Sequence, residues 1–129
     1  MKIVISATGR DIESNIDATF GRCSFFLVLD TKTKDVKALI NTTKDIPDKI
    51  GVTAGEIVAN QGIDAVITAD IGPKAFEAFK KYGIKIYQGE GKINDVVHQL
   101  EEGMLSEITK PTGPMYMGLK KNENSSSIR

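Results

Sequence analysis

A three-layer α/β domain, with a mixed sheet and helices on both of its faces, is the fold class this chain predicts. Three observations carry it: a short β-branched run at the start, two more apolar runs spaced as a hairpin, then helical and strand-like periodicity in alternation. Hairpin-joined strands are antiparallel, whereas strands joined through helices are parallel with right-handed crossovers, so the two patterns together require a mixed sheet.

Taken in order, Lys2–Ala7 is short, β-branched and mostly apolar, and reads as a buried strand. It runs into a loop that opens Thr8-Gly9-Arg10-Asp11 and continues to about Arg22. Phe25–Asp30 and residues 36–41 flank the polar run Thr31-Lys32-Thr33-Lys34-Asp35 and form an antiparallel pair. From Gly51 the period changes: Ala54, Ile57, Val58 and Gln61 fall at helical spacing up to Gly62, and residues 64–69 read as a strand again. Pro73 suits a first helical position, Ala75, Phe76, Phe79 and Tyr82 make one apolar stripe, and Gly83 suits a left-handed stop. Residues 84–87 give a short strand. Ile93, Val96, Val97, Leu100 and Met104 then follow the spacing of a last amphipathic helix, with Met104 in the core and Gly103 closing the packed region. Beyond Glu107 come Pro111, Gly113, Pro114, Gly118 and the polar run 120–127, a composition that buries too little apolar surface to order itself. The expected organisation is one domain over 1–107 and a flexible tail over 108–129.

Composition narrows the functional classes. With 129 residues, 40% hydrophobic and 26% charged, the chain has room for one core. Seventeen basic residues balance seventeen acidic ones, so there is no global electrostatic reason to bind nucleic acid or an anionic membrane. No apolar run approaches the roughly 18 residues of a membrane span, and the strand-like start lacks the apolar segment of a signal peptide, which predicts a cytoplasmic protein. The single cysteine, Cys23, forbids an internal disulfide and any self-contained Cys-x-x-Cys metal site.

The run Asp17-Ala18-Thr19-Phe20-Gly21-Arg22-Cys23-Ser24-Phe25-Phe26 places a glycine, a guanidinium and the only thiol directly before an apolar strand. It resembles the Phe-Gly-Arg, Cys, aromatic-strand signature of the dinitrogenase iron-molybdenum cofactor biosynthesis family. The likeness extends through Gly62-Ile63-Asp64-Ala65-Val66-Ile67, Ile71-Gly72-Pro73-Lys74-Ala75, Tyr82-Gly83-Ile84-Lys85-Ile86-Tyr87 and Gly91-Lys92-Ile93, covering about residues 2–107. The resemblance implies a ribonuclease-H-like sheet of five strands in the order 3-2-1-4-5 with strand 2 antiparallel to the rest. It also implies a non-catalytic carrier or regulator that binds an iron-sulfur or iron-molybdenum type cluster, with protein partners in cluster assembly, as a monomer or weak homodimer. Several cofactor-carrying relatives have a histidine directly before the Phe-Gly pair, where this chain has Thr19.

In sheets of this type, ligands favour the crevice beyond the carboxyl ends of the parallel strands, which here gathers loops 8–22, 70–74 and 88–91. Gly72 and Pro73 open a helix whose free N–H groups favour an anion, with Arg10, Arg22 and Lys74 as cationic candidates. Thr19, Phe20, Gly21, Arg22 and Cys23 complete the candidate site. Cys23 is the metal candidate, because a thiolate is a soft ligand and Arg22 beside it would lower its pKa. His98 lies off the apolar stripe of the last helix and faces water. Met104, Met115 and Met117, with Tyr116 between the last two, have the donors of a thioether copper site, but Met-x-Met is a low-specificity pattern and reads instead as a core Met104 and a tail that folds on a groove or partner. Gly51-Val52-Thr53-Ala54-Gly55 lacks the Lys-Ser/Thr of a phosphate loop. Two rivals stand beside the carrier: an interaction module whose tail docks on a partner, and a divalent-metal-dependent nuclease-like hydrolase using Asp11, Asp17, Asp70 and Glu90. Against the second, the first strand carries no acidic residue, and there is no Ser-His-Asp set or close cysteine–histidine pair.

Overall fold

The computed structural model describes residues 1–42 and 61–112. The helix expected from 51 to 62 lies outside these residues except for its end, where Gly62 adopts φ +72°. The described chain forms β1 (Lys2–Ala7), a 3-10 turn (Phe20–Arg22), β2 (Phe25–Asp30), β3 (Val36–Ile40), β4 (Ala65–Thr68), α1 (Pro73–Lys81), β5 (Lys85–Gln88), α2 (Ile93–Glu101) and β6 (Ser106–Glu107). Boundaries follow the punctuation in the sequence. Pro73 starts α1 because its missing N–H is unneeded there, and Gly83, at φ +71°, takes the left-handed position after it.

The sheet runs β3-β2-β1-β4-β5-β6. β1 pairs antiparallel with β2 and parallel with β4, β2 pairs antiparallel with β3, and β4 pairs parallel with β5. The five expected strands are thus in the expected order. The sixth corrects the five-stranded expectation: Ser106 and Glu107 pair antiparallel with Gln88 and Tyr87 along the edge of β5. Packing does not stop at Gly103 either. Ile108 is buried and donates its N–H to Ile86 O at 2.7 Å, and Thr112 N–H reaches Ile71 O at 3.0 Å. Met104, expected in the core, is 67% exposed. α2 ends at Glu101, the chain turns through Gly103 at φ +72°, and Leu105 packs against the core instead.

Alternation along the strands divides the interior in two. Val4, Phe26, Val28, Val66 and Ile86 face α1 with Ala75, Phe76 and Phe79. Ile3, Ile5, Leu27, Leu29, Ala65 and Ile67 face α2 with Ile93, Val96 and Val97. Each fully buried side chain of this size contributes roughly 1.5–3 kcal/mol. On the α2 side the fit is close. A Cβ on Gly89 would lie 2.5 Å from Val96 Cγ1 and 3.0 Å from Ile67 Cγ2, so only glycine lets the loop after β5 seat this helix.

Candidate functional site

The chain leaves β1 towards β2 on one side and leaves β4 towards β5 on the other, which puts a switch point at the carboxyl ends of β1 and β4. The three expected loops do meet there, and backbone hydrogen bonds join them. Asp17 N–H donates to Ser6 O at 2.9 Å, Asp70 N–H to Ala18 O at 2.8 Å and Phe20 N–H to Asp70 O at 3.0 Å. Farther along, Ile16 N–H donates to Gly91 O at 2.8 Å and Ile93 N–H to Ser14 O at 3.0 Å. The loop over 8–22 is therefore laid across the strand ends and fixed to both following loops.

Beneath this seam lies a pair of buried hydroxyls. Ser6 Oγ is 2.9 Å from Thr68 Oγ1 and 3.0 Å from Asp17 O, and Thr68 Oγ1 is 3.3 Å from Asp70 O. With one proton each, the two hydroxyls can donate to two of these three acceptors at a time, and when they donate to Asp17 O and Asp70 O they tie the carbonyls of both loops to the ends of β1 and β4. Sequence reasoning did not single out these residues. The available signal was a hydroxyl interrupting each apolar strand near its end. Thr112 is a second omission: its Oγ1 accepts the Ile71 N–H at 2.9 Å, just before the Gly72 opening of α1. No local pattern in the sequence marks it.

Of the expected site residues, Thr19 to Cys23 form one turn. Thr19 bridges to Asp70, and Arg22, exposed, donates its N–H to Thr19 O at 3.3 Å. Phe20 is fully buried, with its ring 4.9 Å from Phe26 and edge-on to Phe79 at 5.0 Å. Gly72 is the N-cap of α1 in an extended conformation, and Lys74 sits half-buried in a first turn that holds no acidic residue. Arg10 is drawn aside: its guanidinium lies 4.9 Å over the ring of Phe25.

Cys23 corrects the sequence reading. The residue is fully buried, and its thiol donates to Phe20 O at 3.0 Å. Burial pushes the thiol far above its ordinary pKa, and the charge of Asp17 adds to the shift. Arg22 was expected to lower it, but Arg22 is exposed while Cys23 is buried in the core. The sulfur is a neutral core group, not a presented thiolate. Asn41, also buried, donates its amide to Gly21 O and to Cys23 O, each at 2.9 Å.

The remaining candidates stay apart. Asp11 accepts the Glu13 N–H at 3.0 Å and Asp17 accepts the Ala18 N–H at 2.9 Å, each within its own turn. Among the described residues no three His, Cys, Asp or Glu side chains converge as a metal site. His98 is exposed, with Nδ1 3.8 Å from Glu101 Oε1. The segments 51–55 and 113–118 lie outside the described residues. No helix among the described residues is long and apolar enough to cross a membrane.

A mixed α/β sheet with a Phe-Gly-Arg-Cys turn fixed across its carboxyl end defines a small α/β domain of a single mixed-sheet type. The chain belongs to the dinitrogenase iron-molybdenum cofactor family, whose profile matches residues 1–103. It is 29% identical over 113 residues to an uncharacterized protein of Methanocaldococcus jannaschii, covering 84% of this chain and 96% of that one. The apo form of the orange protein from Desulfovibrio gigas superposes with a TM-score of 0.83 at 26% identity, over 87% of this chain and 96% of that one. A NifB-like protein from Thermotoga gives 0.77 at 27% identity, over 87% and 97%.

Proposed function

We propose that this protein is a non-catalytic carrier or regulator that holds an anionic metal cluster, of iron-sulfur or iron-molybdenum type, at the carboxyl end of its sheet during cofactor assembly. The observation that carries the reading is the seam itself. The family's signature turn is fixed by backbone bonds through Asp70 to the opening of α1, so donors and cations are arranged before any cargo arrives. Family membership and likeness to the apo orange protein support a carrier role.

Such a cargo suits the donor set only if it brings its own sulfide ligands. Arg22, Lys74 and backbone N–H groups compensate charge but do not ligate metal. Cys23 then fixes the turn from within. Metal ligation by its thiolate would require the turn to open and the sulfur to leave the core. The ribonuclease-H-like description of the sheet, supported by the order of its first five strands, belongs to the same reading. So does a cytoplasmic location.

The test is anaerobic titration of the metal-free protein with ferrous iron and sulfide, and separately with molybdate and sulfide, following visible absorption and co-elution of metal on a sizing column. Stoichiometric colour is expected in the native protein and in Cys23→Ser, and loss of it in the double variant Arg22→Ala/Lys74→Ala. No retained metal would leave a protein-interaction module as the better description. Colour lost only in Cys23→Ser would restore the thiolate as ligand.

A further inference from the structure

β3 is an edge strand: β2 lies along one side of it, and among the described residues no strand lies along the other. Two hydrogen bonds at the ends of the β2–β3 ladder decide which of its backbone groups face the open side. Asn41 N–H donates to Ser24 O and Asp30 N–H donates to Asp35 O, each at 3.0 Å. In an antiparallel pair such bonds recur at every second residue, so positions 35, 37, 39 and 41 bond to β2. Val36, Ala38 and Ile40 therefore turn their N–H groups and carbonyls outward. None of these groups has a hydrogen-bond partner among the described residues.

The side chains of the same three residues share a face. Ala38 packs on the α2 layer and Leu39 on the α1 layer, and alternation puts Val36 and Ile40 with Ala38. Val36 is 40% exposed and Ile40 is 59% exposed. An open ladder flanked by exposed β-branched side chains is a template for another strand. The strand is also complementary to itself. Laid antiparallel about a two-fold axis through Ala38, two copies set Ala38 against Ala38 and Val36 against Ile40. That register pairs every outward N–H of both edges with an outward carbonyl, and it covers each exposed side chain with another β-branched one. Lys37 falls opposite Leu39, so no like charges are directly opposed, whereas moving the axis one residue to Lys37 would set the two lysines against each other.

We infer that the β3 edge binds the β3 edge of a second copy of this chain, forming a two-fold dimer whose sheet is continuous across both copies. Pairing closes at two copies, because the other border of the sheet is the two-residue β6. With a five-residue strand from each copy in contact, the interface lies at the small end of specific interfaces, and the dimer is weak and concentration-dependent. β3 is parallel to β1, since each is antiparallel to β2. The two copies of β3 run in opposite directions, so the two signature turns lie at opposite ends of the dimer. Each copy carries its own site, and no ligand is shared across the axis. The inference is independent of what that site holds.

The test is sedimentation equilibrium of the full chain from about 10 μM to about 1 mM, with amide hydrogen exchange read at Val36, Ala38 and Ile40. Dimer mass should grow with concentration and these three amides should gain protection in step, while the Ile5 and Ile67 amides of the inner strands stay protected throughout. Ile40→Lys, at an exposed position, should weaken dimerisation at least about tenfold by setting a charge against Val36. Ala38→Pro should do the same, because it removes the central outward N–H and leaves the bonds to β2 in place. Both variants are checked for native circular dichroism and cooperative melting, and Ile40→Lys decides the question even where the strand does not tolerate the proline. A monomer mass at 1 mM overturns the inference. Protection of the three amides already in dilute monomer overturns it too, since the chain itself would then cover the edge. So does a dimer that persists unchanged in Ile40→Lys, which would put the interface elsewhere.

Discussion

The two faces of the sheet solve the same packing problem differently. The α2 face is filled mainly by aliphatic side chains of the strands and helix, Ile3, Ile5, Ile67, Ile93, Val96 and Val97, with Ile16 of the 8–22 loop joining them, and a glycine admits the helix. The α1 face is aromatic and takes in foreign chain, with Phe20 and Cys23 of the signature turn and Ile108 from beyond β6 packed beside Phe26, Phe76 and Phe79. Among the described residues, one face therefore meets the loops of the site only through the side chains of Ile12 and Ile16. In the other, the stability of the core and the shape of the site depend on the same atoms, so damage there cannot be confined to either.

Four experiments would break or sharpen that contrast. Phe20→Ala should be the most severe, costing about 3–5 kcal/mol in denaturant unfolding and abolishing metal retention, because it removes a ring shared by core and turn. Ile3→Val, at the start of β1 and away from the loops, should cost about 0.5–1.5 kcal/mol by opening space on the α2 face, yet leave metal retention unchanged in whatever fraction is folded. Equal loss of binding in both variants would erase the distinction between the faces.

Cys23 gives a pH test. Its folded pKa is raised above the ordinary 9.0 by burial, so its contribution is complete below 9.0 and declines as pH rises and the unfolded chain ionises. Native stability should fall above pH 9.0 more steeply than that of Cys23→Ala, and iodoacetamide should label the native thiol only at the rate of unfolding. Rapid labelling of folded protein would show the sulfur to be accessible. The smallest effect belongs to Lys34, the one non-glycine residue at positive φ among those described, at +68° in the hairpin turn. Lys34→Gly should stabilise by about 0.5–1 kcal/mol, since relief of the left-handed conformation exceeds loss of an exposed ion pair with Glu101. It should leave the site untouched.

Legibility in the sequence follows the range of the interactions. β1 and β2 were readable to the residue, and α1 to its first residue and its glycine stop, because apolar period and local punctuation set them. β6 was not: two polar residues have no period, and their pairing with Tyr87 and Gln88 depends on where β5 lies. The meeting of three loops at one sheet end was likewise legible from topology. The direction of Cys23 was not, because Arg22 adjoins it in sequence while the side chains of adjacent residues diverge. Asn41 and Thr112 act across 18 to 41 residues on backbone atoms, which no side-chain pattern records.

β6 has a consequence for behaviour at high concentration. A sheet that ended at β5 would expose the ladder edge of a parallel strand, a template on which other chains can stack. Covering it with a two-residue strand that is exposed and bears Glu107 leaves a short, charged border on which a second sheet finds little to pair. A segment that looks like the fading end of the domain is thus its guard against aggregation, and deleting it should cost solubility before it costs the fold.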